Sequence, residues 1–223
     1  MLACSIAAPA AAEVGATFSI FSDDRFRGYS LSDGRPVGTF DFAYDDSSGF
    51  YADAAATGVI RQGSPSALGA QFNGGFAKQL KSGTTLDFGI IYSSYSHYSQ
   101  GGGRKSYGEI YAGIARGAFS SRIFLSPHYS EAGLWTTYGE INANISPARK
   151  WSIDAHAGIL LPLRNPDADE NYRPAFDARL GITRELGPLS LHASWVLGEH
   201  GREYYGDGAR GGSAFILGAT WAL

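Results

Sequence analysis

The segment SAFILGATWAL, residues 213–223, carries two interleaved columns of side chains. Alternate residues from Phe215 are Phe215, Leu217, Ala219, Trp221 and Leu223, and between them stand Ala214, Ile216, Gly218, Thr220 and Ala222. Successive side chains of a strand point to opposite faces, so this spacing gathers most of the bulk on one side. A terminal segment that is normally polar and frayed here keeps a large apolar face to its last residues. The pattern predicts a strand whose apolar column faces lipid and which closes a barrel against a strand near residues 14–22.

The same period of two recurs along the chain, and no window of useful length holds a 3.6-residue apolar period. Residues 37–45 set Phe40, Phe42 and Tyr44 against Asp41, and residues 84–95 set Leu86, Phe88, Ile90 and Tyr92 against Asp87. In 107–115, Ile110, Ala112 and Ile114 oppose Tyr107, Glu109 and Tyr111; in 134–145, Trp135, Ile141 and Ile145 oppose Tyr138, Glu140 and Asn142. Residues 151–160, 175–184 and 189–197 repeat the arrangement, with Asp154, His156, Asp177, Arg179 and His192 on the polar face. Weaker alternation at 14–22, 50–58, 67–79 and 119–126 brings the expected total, with 213–223, to about twelve strands.

The connections fall into two kinds. Short ones at 45–49, 80–83, 115–118, 146–150 and 185–188 alternate with longer ones at 23–36, 61–66, 96–106, 126–133, 164–174 and 199–212. Such alternation places tight turns at one rim and loops at the other, which is the plan of outer-membrane barrels. The expectation is therefore an all-β, transmembrane, antiparallel up-and-down barrel. A soluble eight-stranded barrel would need fewer strands than are read here. No apolar run approaches the roughly 18 residues of a spanning helix, a criterion that does not touch barrels.

Composition agrees with this assignment. Of 223 residues only 17% are charged while 13% are aromatic, and 30 are Gly, which suits strands and turns. All four Lys, at 78, 81, 105 and 150, lie at or near turns and loops, and the apolar columns hold no charge at strand centres. A charge on the lipid face at midplane costs about 2–4 kcal/mol, which explains that exclusion. Trp135 and Trp195 fall toward the loop rim and Trp151 and Trp221 toward the turn rim, as interfacial belts require. The net charge of −3 gives no reason to expect nucleic acid. Residues 1–12 read as the remnant of an export leader, with Ala10-Ala11-Ala12 fitting cleavage before Glu13 and the barrel occupying 13–223. Cys4, the only cysteine, lies in that leader; an acylated cysteine is the alternative reading of "LAC".

The polar face supplies the candidate lumen-lining residues: Asp41, Asp53, Asp87, Glu109, Arg122, Glu140, Asp154, His156, Asp177, Arg179 and His192. Seven acids against two arginines predict a cation-favouring lumen. A second reading stays open, in which Arg122 and Arg179 pair with acids and the interior is blocked. Asp23, Asp24, Arg25 and Arg27 of "DDRFRG" are candidates for a pore-mouth loop, or for a salt-bridged loop that orders the rim. Chemistry is otherwise thin. No lipid-facing Ser–His pair emerges, no His/Cys/Asp cluster has metal-ligand spacing, and "GGGRK" at 101–105 lacks the strand–helix setting of a phosphate loop. Neither an enzyme nor a cofactor is expected. Tyr95, Tyr98, Tyr129, Tyr172, Tyr204 and Tyr205 fall in or beside loops, where a sugar- or partner-binding surface competes with the plainer reading of scattered exposed aromatics.

The stretch FSDDRFRGYSLSDGRPVGTFDFAYDDSSGFYADAAATGV, residues 21–59, resembles the opening of the TorF-like porin family of Gram-negative bacteria. Ser22, Asp24, Arg25, Phe26, Arg27, Gly28, Ser30, Ser32 and Asp33 carry the match, and EIYAGI at 109–114 resembles a strand in the middle of that family. The resemblance implies an exported outer-membrane pore, without an established substrate, in contact with lipid and with the barrel assembly machinery; the polar lumen adds the expectation that small polar solutes or ions pass through it. Such barrels usually end in an aromatic residue; this sequence has Leu223 there and Trp221 two positions earlier.

Overall fold

The computed structural model describes residues 13–61, 63–96, 105–165, 172–205 and 210–223. The leader assignment at 1–12, with Cys4, lies outside the described residues, as do His97, Tyr98 and most of "GGGRK". Twelve strands form one closed antiparallel barrel: β1 (Glu13–Phe21), β4 (Val37–Asp45), β5 (Phe50–Arg61), β6 (Ser64–Gln79), β7 (Thr85–Tyr95), β8 (Lys105–Arg116), β9 (Phe119–Ser126), β10 (Trp135–Ala148), β11 (Trp151–Arg164), β12 (Ala175–Leu186), β13 (Leu189–Glu199) and β14 (Ala214–Ala222). Each strand pairs with its sequence neighbour, and β1 also pairs with β14 from Thr17 opposite Ala222 to Phe21 opposite Gly218. That seam leaves no open edge, which hydrocarbon could not satisfy.

The pleat decides which way each column points. Phe88, Ile110, Ile153 and Leu217 lie on the outer wall, and Phe88, Ile110 and Leu217 are 53%, 58% and 56% exposed, while Asp87 and Glu109 are 8% and 4% exposed. In a soluble protein those numbers would be reversed. The outer wall is an apolar belt that must face lipid, at roughly 25 cal/mol per Å² withheld from water. At the loop rim, Trp135 pairs with Arg164 and Trp195 with Phe215; at the turn rim, Trp151 pairs with Arg184 and Trp221 with Leu189. Arg184 lies over the Trp151 ring at 4.8 Å, an amphipathic pairing suited to the headgroup level.

Two elements differ from the sequence expectation. The stretch 61–66 is not a long loop: β5 runs to Arg61, β6 begins at Ser64, and Arg61 pairs with Ser64 across a tight turn at Gly63, whose φ is +79°. Gly, Ser and Pro made the stretch look irregular, yet these two strands extend beyond the belt as a two-stranded ribbon. The second difference lies between β1 and β4. There the chain forms a hairpin of β2 (Arg25–Phe26) and β3 (Tyr29–Ser30), and the β13–β14 connection holds one turn of helix, α1 (Arg202–Tyr205).

Candidate functional site

The hairpin turns into the barrel. Gly28, at its tip, lies against the inner wall so closely that a Cβ there would sit 2.5 Å from Gly198 Cα and 2.6 Å from the Leu197 carbonyl oxygen. Its φ of +79° is a second reason for glycine at this position. The base of the hairpin is tied by Asp23, which accepts from Ser30 Oγ (2.5 Å), Ser32 Oγ (2.8 Å) and Arg25 Nε (2.8 Å). Arg25 also donates to the carbonyls of Gly28 (2.8 Å) and Gly212 (3.1 Å), and the Asp24 backbone N–H donates to Ser32 Oγ at 3.0 Å. Asp23, Asp24 and Arg25 thus shape the loop itself.

Arg27 does something different. Its Nη2 donates to both Glu109 oxygens at 2.9 Å, and both side chains are buried. Its Cζ lies 3.9 Å from the Tyr138 ring centroid, 4.8 Å from Phe26, 5.1 Å from Tyr129 and 5.5 Å from Phe124. Burial works to lower its pKa, but Glu109, joined by Tyr129, Tyr205 and Tyr107, holds it well above the usual arginine value. Around this contact the loop-side half of the interior is filled. Tyr29 stacks on Tyr205 at 4.8 Å and its hydroxyl accepts the Gly201 N–H at 2.6 Å, while Tyr107 sits 4.8 Å from Tyr129. Tyr95, Tyr129, Tyr172, Tyr204 and Tyr205 are buried, so they form neither an aromatic binding surface nor the scattered exposed aromatics of the plainer reading; Tyr98 lies outside the described residues.

Toward the turn rim the interior opens into a cavity of about 460 Å³ lined by Asp53, Asn73, Asp87, Glu109, Arg122, Glu140, Asn142, Asp154, His156 and Arg179, with Arg27 at its roof. Its charges are arranged in groups. Asp87 receives Arg122 Nε (2.8 Å) and Nη2 (2.5 Å) together with the Tyr51 hydroxyl (2.5 Å). Tyr51 also hydrogen-bonds Tyr111, which donates to Asn73 Oδ1 at 3.0 Å. Arg179 Nε donates to Asp154 at 2.9 Å. His156 Nε2 lies 2.7 Å from Asp177 Oδ1 and its Nδ1 lies 2.7 Å from Asn142 Oδ1, and Tyr138 OH donates to Asp177 Oδ2 at 3.0 Å. The Tyr138 ring crosses the position of Gly158, where a Cβ would collide with its hydroxyl.

Three acids of this half are held by neutral donors. Asp41 accepts from Thr17 Oγ1 (3.4 Å), Asp53 from Asn73 Nδ2 (2.7 Å) and Glu140 from Asn142 Nδ2 (3.1 Å). His192 lies on the inner wall between Thr183 (2.9 Å) and Thr220 (3.1 Å). The structure therefore brings Asp87 to Arg122, Asp154 to Arg179, His156 to Asp177 and Arg27 to Glu109. The sequence reading missed Tyr51, Phe124, Tyr138 and Asn142 as partners, and missed that Arg27 reaches the lumen. For Tyr138 a signal existed: it is an inward residue whose neighbour strand offers Gly158.

The chain belongs to the family described as "Bacterial protein of unknown function (Gcw_chp)", which it matches over residues 6–222. No curated protein matches it. Among solved structures it is similar to "NanC porin structure in rhombohedral crystal form", with 9% identity, 95% of this chain and 100% of that chain covered, and a TM-score of 0.58. It is likewise similar to "KdgM porin", with 7% identity, 94% and 99% coverage and a TM-score of 0.56. At these identities the likeness is one of fold: the closed twelve-stranded barrel of Gram-negative outer-membrane proteins.

Proposed function

We propose that this barrel is a porin-like channel through which small polar solutes or ions diffuse passively, with a mild preference for cations and with neither cofactor nor catalytic step. The observation that carries the reading is the charged cavity of about 460 Å³ inside a closed wall whose outside is apolar. A wall that only anchored the protein would have no use for so many buried ionisable groups, each costly to desolvate. The seven inward carboxylates outnumber Arg27, Arg122 and Arg179, so the field in the lumen is negative on balance. Asp41, Asp53 and Glu140, without arginine among their hydrogen-bond donors above, are the acids from which cation preference is expected.

The resemblance of residues 21–59 to the TorF-like porin family belongs to this proposal, as do export by a leader at 1–12 and insertion by the barrel assembly machinery. A second reading has its own observation. The aromatic filling and the hairpin close the loop-side half, which suits a closed barrel with a structural or partner-binding role through its extracellular loops. Planar-bilayer recording separates the two. Discrete current steps, larger or more frequent in Arg27→Ala than in the wild type, support a channel that the hairpin keeps shut. Silence from both well-folded proteins overturns the channel and favours the closed barrel.

A further inference from the structure

Apart from Phe26, which the hairpin itself supplies, the groups that hold the Arg27 head come from the barrel: Glu109 from β8, Phe124 from β9, Tyr129 from the connection after β9, and Tyr138 from β10. We infer that this cage is a binding site for small solutes bearing a guanidinium or ammonium head, and that Arg27 is its tethered occupant, displaced when such a solute enters. The inference deepens the channel reading and rests on it for its role in transport, but binding itself is measurable without conductance.

The site has the chemistry of a cation receptor. The negative faces of the rings attract a cation most when water is excluded, and Arg27 is buried beneath them. A single nitrogen, Nη2, lies between the two Glu109 oxygens at 2.9 Å each, while Nη1 is buried and makes no hydrogen bond, and the rings of Phe26, Phe124, Tyr129 and Tyr138 surround the guanidinium carbon. The cage therefore asks of its guest one donor for the carboxylate and a weakly hydrated, flat or compact body for the rings. Guanidinium meets both demands; sodium, strongly hydrated and without donors, meets neither. Nothing in the contact requires that the guest be joined to the chain.

Charge balance favours exchange over simple departure. If the hairpin left alone, Glu109 would stay buried and unpaired, a state costly enough to hold the hairpin in place. If a free cation takes the place of Arg27, the carboxylate keeps a partner throughout. A route exists, because the cavity that opens toward the turn rim is lined by Arg27, Glu109, Phe26, Phe124 and Tyr138 themselves.

The test uses the full chain in detergent micelles and guanidinium chloride at millimolar concentrations, with sodium chloride at matched ionic strength as the control. Binding is read by calorimetry and by thermal unfolding. Arg27→Ala, with the cage vacated, is expected to bind guanidinium saturably and to be stabilised by it. The wild type, in which guanidinium must displace the tethered Arg27 head, is expected to respond saturably but only at higher guanidinium concentrations than Arg27→Ala requires. Adding Glu109→Gln to Arg27→Ala is expected to weaken binding about ten- to hundredfold, the loss of one charge-assisted contact. An Arg27→Ala protein that responds alike to guanidinium and sodium overturns the inference. Should that variant not fold, Arg27→Lys keeps a cation in the cage with fewer donors; guanidinium is then expected to compete saturably, and its failure to do so is equally decisive. Conductance separates the two proposals: guanidinium binding without current in any variant defeats the channel and leaves the site, whereas current without saturable guanidinium binding defeats the site and leaves the channel.

Discussion

On the loop side the barrel encloses Tyr29, Tyr107, Tyr129, Tyr204 and Tyr205 around the buried Arg27–Glu109 ion pair; on the turn side it encloses Asp53, Asp87, Glu140, Asp154, Arg122 and Arg179 around a cavity. Both halves are built by the same alternation, with one inward residue at every second position. What differs is size. Tyrosine fills the inward positions where a hairpin and a helical turn bring further side chains inside, whereas short acids and amides leave room. The loop half thus has a core in the ordinary sense, and the turn half has a lining. A mutation should act on stability in the first and on the passage of charge in the second.

The sharpest test of that contrast is Glu109→Gln, for which the largest effect is expected. It leaves Arg27 buried without its counter-charge, a change that costs about 3–5 kcal/mol when the structure cannot relax. Here it can relax by releasing the hairpin. The expected outcome is a lowered unfolding temperature in detergent together with new proteolytic cleavage within residues 23–34. Unchanged melting and an uncut loop would mean that the ion pair does not hold the hairpin. Gly28→Ala is expected to follow, at about 1–3 kcal/mol for strain at a positive φ, compounded by overlap with the Gly198 backbone. The same cleavage assay reads it, and a protected loop in that variant would show that the hairpin tip does not touch the wall.

The contrast between halves also explains what the sequence could and could not reveal. The strands were legible because lipid on one side and a polar interior on the other impose strict alternation, so Phe88 against Asp87, or Ile110 against Glu109, already fixes the orientation. The seam of β14 on β1 followed from the unbroken apolar column from Phe215 to Leu223. The hairpin was not legible: its strands are two residues each and show no period, and Arg27 meets Glu109 across 82 positions of sequence. Nor was the burial of Tyr129, Tyr204 and Tyr205, since a tyrosine in a loop reads the same whether the loop folds outward or inward. Local pattern reports the wall well; it reports what fills the wall only where the filling residue belongs to a strand.

The smallest effect on stability is expected from Asp53→Asn combined with Glu140→Gln, and this pair bears most directly on the turn half. Both carboxylates line the cavity and accept from amide donors, Asn73 and Asn142, that rotate to suit a neutral partner. The cost should therefore remain below about 1 kcal/mol, within the range of a single ordinary hydrogen bond. Asp87 and Asp154 make poorer probes of selectivity, because neutralising either one strands Arg122 or Arg179 and confounds charge with structure. In Arg27→Ala channels under a salt gradient, the double variant is expected to move the reversal potential toward zero while the melting temperature stays put. A reversal potential that did not move would place the source of any cation preference outside the turn half. The equivalence of lining and selectivity assumed here would then fail, whatever became of the loop-side core.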